Sequence, residues 1–193
     1  MWPGLLLAFA LVNPAGAREA SQSAITLELR IFNGAEEVTS QTRVTVHRAA
    51  ERDAPVVQLP TGSPRLEVEV PEGFYDVQAI REREGRVLNI RWALRLVVMR
   101  YPDEAGRHLE VINFQNGFGA LQVRSSSRAR PAAAVYKTSE RNKEAATALD
   151  GSGYVLFILL AGSYDLQMRN EKGIAWHTNI EVPLDRTRLL VVP

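Results

Sequence analysis

The feature that most constrains this chain is an internal repeat. Gly73-Phe74-Tyr75-Asp76-Val77-Gln78 and Gly162-Ser163-Tyr164-Asp165-Leu166-Gln167 lie 89 residues apart, counted from Tyr75 to Tyr164. The same offset aligns Val46 with Val135, Glu51-Arg52 with Glu140-Arg141, Gly62-Ser63 with Gly151-Ser152, and Glu82 with Glu171. From 46 to 82 the register runs without a gap and holds ten identities in 37 positions. Further out it needs short gaps, where Leu27-Glu28-Leu29-Arg30 parallels Leu121-Gln122-Val123-Arg124 and Ile90-Arg91-Trp92 parallels Ile174-Ala175-Trp176. Self-similarity at a fixed offset means one unit written more than once. The expected organisation is a signal peptide over 1–17, a linker over 18–23, a first module over 24–113 and a second over 114–193.

Each copy is written in strands. Ile25, Leu27, Leu29 and Ile31 alternate with Thr26, Glu28 and Arg30, the period of two that marks a strand with one wet face. Val44-Thr45-Val46-His47 and Leu66-Glu67-Val68-Glu69-Val70 repeat the pattern. Gly62-Ser63 and Gly151-Ser152 sit in turn chemistry and read as hairpin turns between such runs. Val155-Leu156-Phe157-Ile158-Leu159-Leu160 is apolar without alternation, short and flanked by Gly, which predicts a strand covered on both faces. No long window carries a 3.6-residue period. The fold class that follows is all-β, two Ig-like antiparallel β-sandwiches in tandem.

The shared Gly-x-Tyr-Asp element has a structural use. Gly73 and Gly162 allow a tight entry into a strand, and the hydroxyls of Tyr75 and Tyr164 can bond back to backbone at a sandwich corner, with Asp76 and Asp165 beside them. Val70-Pro71-Glu72-Gly73-Phe74-Tyr75-Asp76-Val77 and Leu160-Ala161-Gly162-Ser163-Tyr164-Asp165-Leu166 resemble the P-x-G-x-Y-x-V stretch of bacterial prealbumin-like modules, the carboxypeptidase-regulatory-like and PEGA-type domains. The second copy has Ala161 where that stretch has Pro. The resemblance implies a β-sandwich accessory or interaction module without catalysis, and it supplies no catalytic residues.

Residues 1–17 carry no charged side chain, and the apolar run 5–12 is too short to span a bilayer. Pro14 and the small residues Ala15-Gly16-Ala17 fit a secretory signal cut before Arg18. No second long apolar stretch follows, so the expected mature chain is soluble and periplasmic or secreted, with no membrane span. The chain has 193 residues and no cysteine, which removes disulfides, thiolate metal sites and a cysteine nucleophile and points to a bacterial exterior. With 23 Lys+Arg against 22 Asp+Glu, no electrostatic case exists for nucleic acid.

No arrangement with catalytic spacing emerges, so no catalytic residue, cofactor or metal is assigned. His47, His108 and His177 are scattered, with no pair at the spacing that sets two imidazoles on one face. Gly151-Ser152-Gly153 lacks the five-residue frame of a nucleophile elbow. Gly117-Phe118-Gly119 lacks the strand–helix setting of a dinucleotide loop and reads as the junction between modules. The turn at 101–106 has too few alternating oxygens for a calcium loop.

One asymmetry remains. After Trp92 the first copy runs on through 93–114, against a shorter 179–192 in the second. The segment reads as an elongated hairpin, 94–101 out and 109–114 back, whose expected use is to pack the modules together, or else to offer an edge for strand addition by a partner. The candidate partner-contact residues are Trp92, Arg95, Met99, Tyr101, Arg128, Arg130 and Trp176. The expected function is an extracytoplasmic, non-enzymatic binding or structural protein acting on another envelope or extracellular protein. Two rivals stay open: a carbohydrate-binding module using Trp92 and Trp176, and a hydrolase with its site between the modules.

Overall fold

The computed structural model describes residues 24–100, 106–126, 130–170 and 173–193. The expected signal peptide and linker, and the candidates Tyr101 and Arg128, fall outside them. The described residues form strands and one 3₁₀ turn, Thr39–Gln41, with no α-helix.

The first half contains β1 (Ile25–Asn33), β2 (Glu36–Glu37), β3 (Thr42–Arg48), β4 (Glu51–Leu59), β5 (Leu66–Val70), β6 (Gly73–Arg83), β7 (Arg86–Val98) and β8 (Arg107–Asn113). The second contains β9 (Phe118–Ser125), β10 (Ala132–Lys137), β11 (Glu140–Ala146), β12 (Leu149–Asp150), β13 (Tyr154–Leu160), β14 (Gly162–Asn170), β15 (Gly173–Val182) and β16 (Thr187–Val192). In the first half β4-β3-β6-β7 make an outer sheet, while β1 carries β2 and β5 on one side and β8 on the other to make an inner sheet. In the second half β11-β10-β14-β15 make the outer sheet and β12-β13-β9-β16 the inner one. All pairings are antiparallel except β1 with β8 and β9 with β16, where the last strand of each half lies parallel to the first.

Pairing registers in the two halves correspond. Leu27 faces Val68 and Leu121 faces Phe157, while Gln78 faces Trp92 and Gln167 faces Trp176. The chain is an all-β protein of sandwiched sheets. Ile25, Leu27, Leu29, Ile31, Val44, Val46 and Val77 are buried between the first two sheets, and Leu121, Val123, Val135, Phe157, Leu166 and Val182 between the second two.

A third apolar cluster joins the halves. Phe32, Leu109 and Val111 of the first inner sheet pack on Ala120, Tyr154, Leu156 and Ile158 of the second. The order of layers is therefore outer, inner, inner, outer. This explains the unbroken apolar run of β13: Val155, Phe157 and Leu159 enter the second core, and Tyr154, Leu156 and Ile158 enter the seam.

Three sequence expectations need correction. The wet face of β1 is not wet: Glu28 and Arg30 are buried because the second inner sheet covers them. There is no elongated hairpin, since β7 pairs with β6 in the outer sheet and β8 pairs with β1 in the inner sheet. β7 and β8 thus belong to different layers, and an apolar–turn–apolar pattern reads the same whether its two strands pair with each other or not. Likewise the Gly62-Ser63 turn links β4 to β5 across layers, whereas the 151–153 turn is a true hairpin closed by the Gly151 N–H donating to the Tyr154 carbonyl at 3.1 Å.

Candidate functional site

The repeated Gly-x-Tyr-Asp element builds two adjoining devices in each half. The Tyr75 hydroxyl donates to the Pro71 carbonyl and the Tyr164 hydroxyl to the Leu160 carbonyl, both at 2.8 Å. Each bond ties the start of a strand to the chain four residues upstream. Burial raises the pKa of both phenols. Gly73 and Gly162 precede them, and an added Cβ at either would come within 4 Å of the tyrosine ring.

The neighbouring aspartates clamp a β-bulge. β6 and β7 slip register between Tyr75 and Val77, and β14 and β15 slip between Tyr164 and Leu166. The bulged residues Arg95 and Asn179 take left-handed backbone, φ 53° and 57°. Their N–H groups donate to Asp76 Oδ1 and Asp165 Oδ1, each at 2.9 Å. The other carboxylate oxygens accept from Arg52 Nε at 3.1 Å and Arg141 Nε at 2.7 Å. Burial alone would raise the Asp76 pKa, but the Arg95 N–H and the Arg52 guanidinium outweigh it and hold the carboxyl below the usual range. The Asn179 N–H does the same for Asp165 against its burial, with help from Arg141 and Thr138.

The same two arginines cover the repeated tryptophans. Arg52 lies 4.8 Å over the Trp92 ring and Arg141 4.9 Å over that of Trp176, distances typical of cation–π contact. His47 and Tyr136 pack against the same rings at 5.7 and 5.4 Å. The tryptophans therefore sit on the outer faces of two different sheets, each under a guanidinium, and not at the junction. They do not form one shared stacking platform.

The remaining candidates separate. Arg130 pairs with Asp150 at the second inner sheet, and Met99 is exposed just past β7. Arg95 lies in the bulge beside a groove of about 680 Å³ at the end of the first outer sheet, between the β3–β4 turn and the start of β6. Arg48, Glu51, Arg52, Phe74, Asp76 and Leu94 line it with Arg95. The sequence reading passed over Arg48, Arg52 and Phe74. For Arg52 a signal existed, its identity with Arg141 at the repeat offset; Arg48 and Phe74 become notable only when folding sets them together.

The seam is packed and polar at its rim. Tyr154 donates to Glu28 Oε1 at 2.7 Å, and burial followed by this bond drives the phenol pKa strongly upward. Arg30 holds Glu37 through two bonds, 3.0 and 2.6 Å, and reaches the Asp150 carbonyl across the seam. Beside the seam lies a cavity of about 250 Å³, lined among others by Arg91, Leu94, Val111, Asn113 and Asp185. Its one carboxylate, Asp185, is 2.7 Å from Arg91, and no histidine lines it. Among the described residues no group of three or more His, Cys, Asp or Glu converges as a metal site. No described helix is long and apolar enough to cross a membrane.

No family model matches the chain, and no curated protein matches it. Among solved structures it is similar to the Bacillus anthracis TIE protein, with 14% identity and a TM-score of 0.36 over 88% of this chain and 34% of that one. The chain thus spans about a third of that protein's length. It is also similar to the tip fimbrial protein Mfa3 from Porphyromonas gingivalis, with 8% identity and a TM-score of 0.34 over 87% of this chain and 94% of the other. A proposed adhesin from Bacteroides ovatus gives 9% identity and a TM-score of 0.33 over 95% of both chains. The fold class rests on the strand pairings of the chain itself.

Proposed function

We propose that this is an extracytoplasmic, non-enzymatic binding or structural accessory protein of two copies of one prealbumin-like β-sandwich module, 24–113 and 114–193, acting through protein–protein contact. The observation that carries the reading is where exposed apolar surface collects. Val87, Leu88, Ile90, Leu94 and Val97 of β7, with Phe74 of β6, are 41–57% exposed on the first outer sheet. The inner sheets, by contrast, have their apolar faces used up in the seam. Apolar surface concentrated on one face marks an interaction site in a soluble protein. Location outside the cytoplasm rests on the signal-like residues 1–17 and the absence of cysteine.

The test places a photo-crosslinking amino acid at Leu88 or Val97 of β7, and at Ile174 of β15 as a comparison, in cells of the source organism. The expected result is a discrete protein adduct from the β7 positions, much weaker from Ile174. No adduct from any outer-sheet position, together with turnover of ester or glycoside substrates, overturns the reading.

A further inference from the structure

The groove at the end of the first outer sheet differs from its counterpart in the second in the side chains that line it. Where the second half has Lys137, Ser163 and Asn179, the first has Arg48, Phe74 and Arg95. The Arg48 and Arg95 guanidiniums make no hydrogen bond or ion pair among the described residues. Arg52 is already engaged by Asp76 and stacked on Trp92, and Glu51 also lines the groove, so Arg48 and Arg95 are the cations left to meet a ligand. Phe74 and Leu94 stand 54% and 44% exposed between these cations.

Both halves use the same left-handed bulge, φ 53° at Arg95 and 57° at Asn179, and differ in the residue that fills it. Arg95 occupies left-handed backbone that costs an ordinary side chain about 1 kcal/mol, while Asn, which the second half places there, tolerates it better. The Asp76 carboxylate holds this backbone in place by accepting the Arg95 N–H. A residue kept in an unfavourable conformation at the mouth of a groove is a pointer to function.

We infer that this groove binds an extended acidic segment of a partner protein, one in which carboxylates alternate with apolar side chains. The inference rests on the protein-binding reading above and names the chemistry of the partner. Two free guanidiniums recognise carboxylates through charge-assisted, bidentate bonds. Phe74 and Leu94 give the intervening apolar side chains a surface to cover. Charge complementarity disfavours a second copy docking through the same face, because it would set Arg48 and Arg95 against themselves.

The full chain from residue 18 is titrated into a fluorescein-labelled octapeptide that alternates Asp or Glu with Leu or Phe. A counterpart with Lys in place of every acid is the control, and fluorescence anisotropy is the readout. The decisive variant is Arg95→Asn with Phe74→Ser, which gives the groove residues the second half already folds with. Saturable binding of the acidic peptide is expected, weakened about tenfold or more in the variant, with the urea midpoint of the variant not lowered. Arg48→Gln should weaken binding further, and added salt should do so for the parent chain. Failure to bind at millimolar protein, equal binding of the Lys peptide, or equal affinity in the variant overturns the inference. So does a groove-dependent dimer by sedimentation, or displacement of the peptide by polygalacturonate at equal charge concentration. If crosslinked adducts at β7 persist in the variant while peptide binding is undiminished, only the groove assignment falls; loss of every adduct in the parent chain removes the protein-binding reading itself.

Discussion

Tyr75 and Tyr164 each spend their hydroxyl on a carbonyl four residues back, and neither carbonyl is deeply buried. Replacing either with Phe should therefore cost only about 1 kcal/mol, since the freed carbonyl finds water. The two losses should add, because the corners share no partner; urea unfolding of the single and double variants measures both points. Asp76 and Asp165 carry a pH signature. Their folded pKa values lie below the unfolded value, so the stability they confer is full above about pH 4 and is lost as pH falls through the folded values. The parent chain should unfold more easily on acidification below about pH 4. The Asp76→Asn, Asp165→Asn double variant should begin less stable at pH 7 and change less over that range. A parent-like acid dependence in the double variant would show that other carboxylates dominate. The repeat marked both aspartates in the sequence, and both tyrosines with them. It did not reveal that each aspartate holds a bulge, because the N–H it accepts comes from a residue 19 or 14 positions away.

At the scale of elements, β9 and β13 show how tightly strands are dictated by their neighbours. Gly119 lies in β9, where an added Cβ would stand 1.9 Å from the Pro183 carbonyl oxygen and 3.0 Å from Val182 Cγ1. Backbone cannot rotate aside as a side chain does, so Gly119→Ala should destabilise by about 3 kcal/mol. A negligible shift in thermal midpoint would mean that the 183–186 turn is loosely held. Gly117-Phe118-Gly119 read as a junction between modules; the close approach at Gly119 is to the 182–183 segment within the second half, while Phe118 packs against the seam. β13 was legible as a doubly covered strand because its apolar residues run without alternation, and all of it but the terminal Leu160 is buried. β1 was not, because Glu28 and Arg30 look like solvent-facing residues until Tyr154 and Glu37 are placed against them. Nor was the fate of β7 and β8, since the pattern of apolar residues in a strand does not say which sheet it joins.

For the whole molecule the seam decides behaviour. Phe32, Leu109 and Val111 meet Tyr154, Leu156 and Ile158 over a contact that neither half can lose without exposing a full sheet face. Calorimetry of the parent chain should accordingly show one cooperative transition, with calorimetric and van't Hoff enthalpies equal. Leu156→Asp sets an unpaired charge in the seam and should split this into two transitions; Leu156→Ala should lower stability by about 2–5 kcal/mol while keeping one. A parent chain that already unfolds in two steps would mean that the halves are only weakly coupled.

The sequence by itself determined that the chain is all-β, that a Gly-x-Tyr-Asp element recurs at a fixed offset, and that one strand is buried on both faces. Each of these is local: a period of two, a turn residue, a hydroxyl within reach of its own upstream backbone. Only the tertiary structure decided that the polar face of β1 is interior, that the last strand of each half runs parallel to the first, and that Arg48, Phe74 and Arg95 share one groove. Those outcomes depend on pairings between residues tens of positions apart, and a side chain's environment is set by whichever sheet finally covers it.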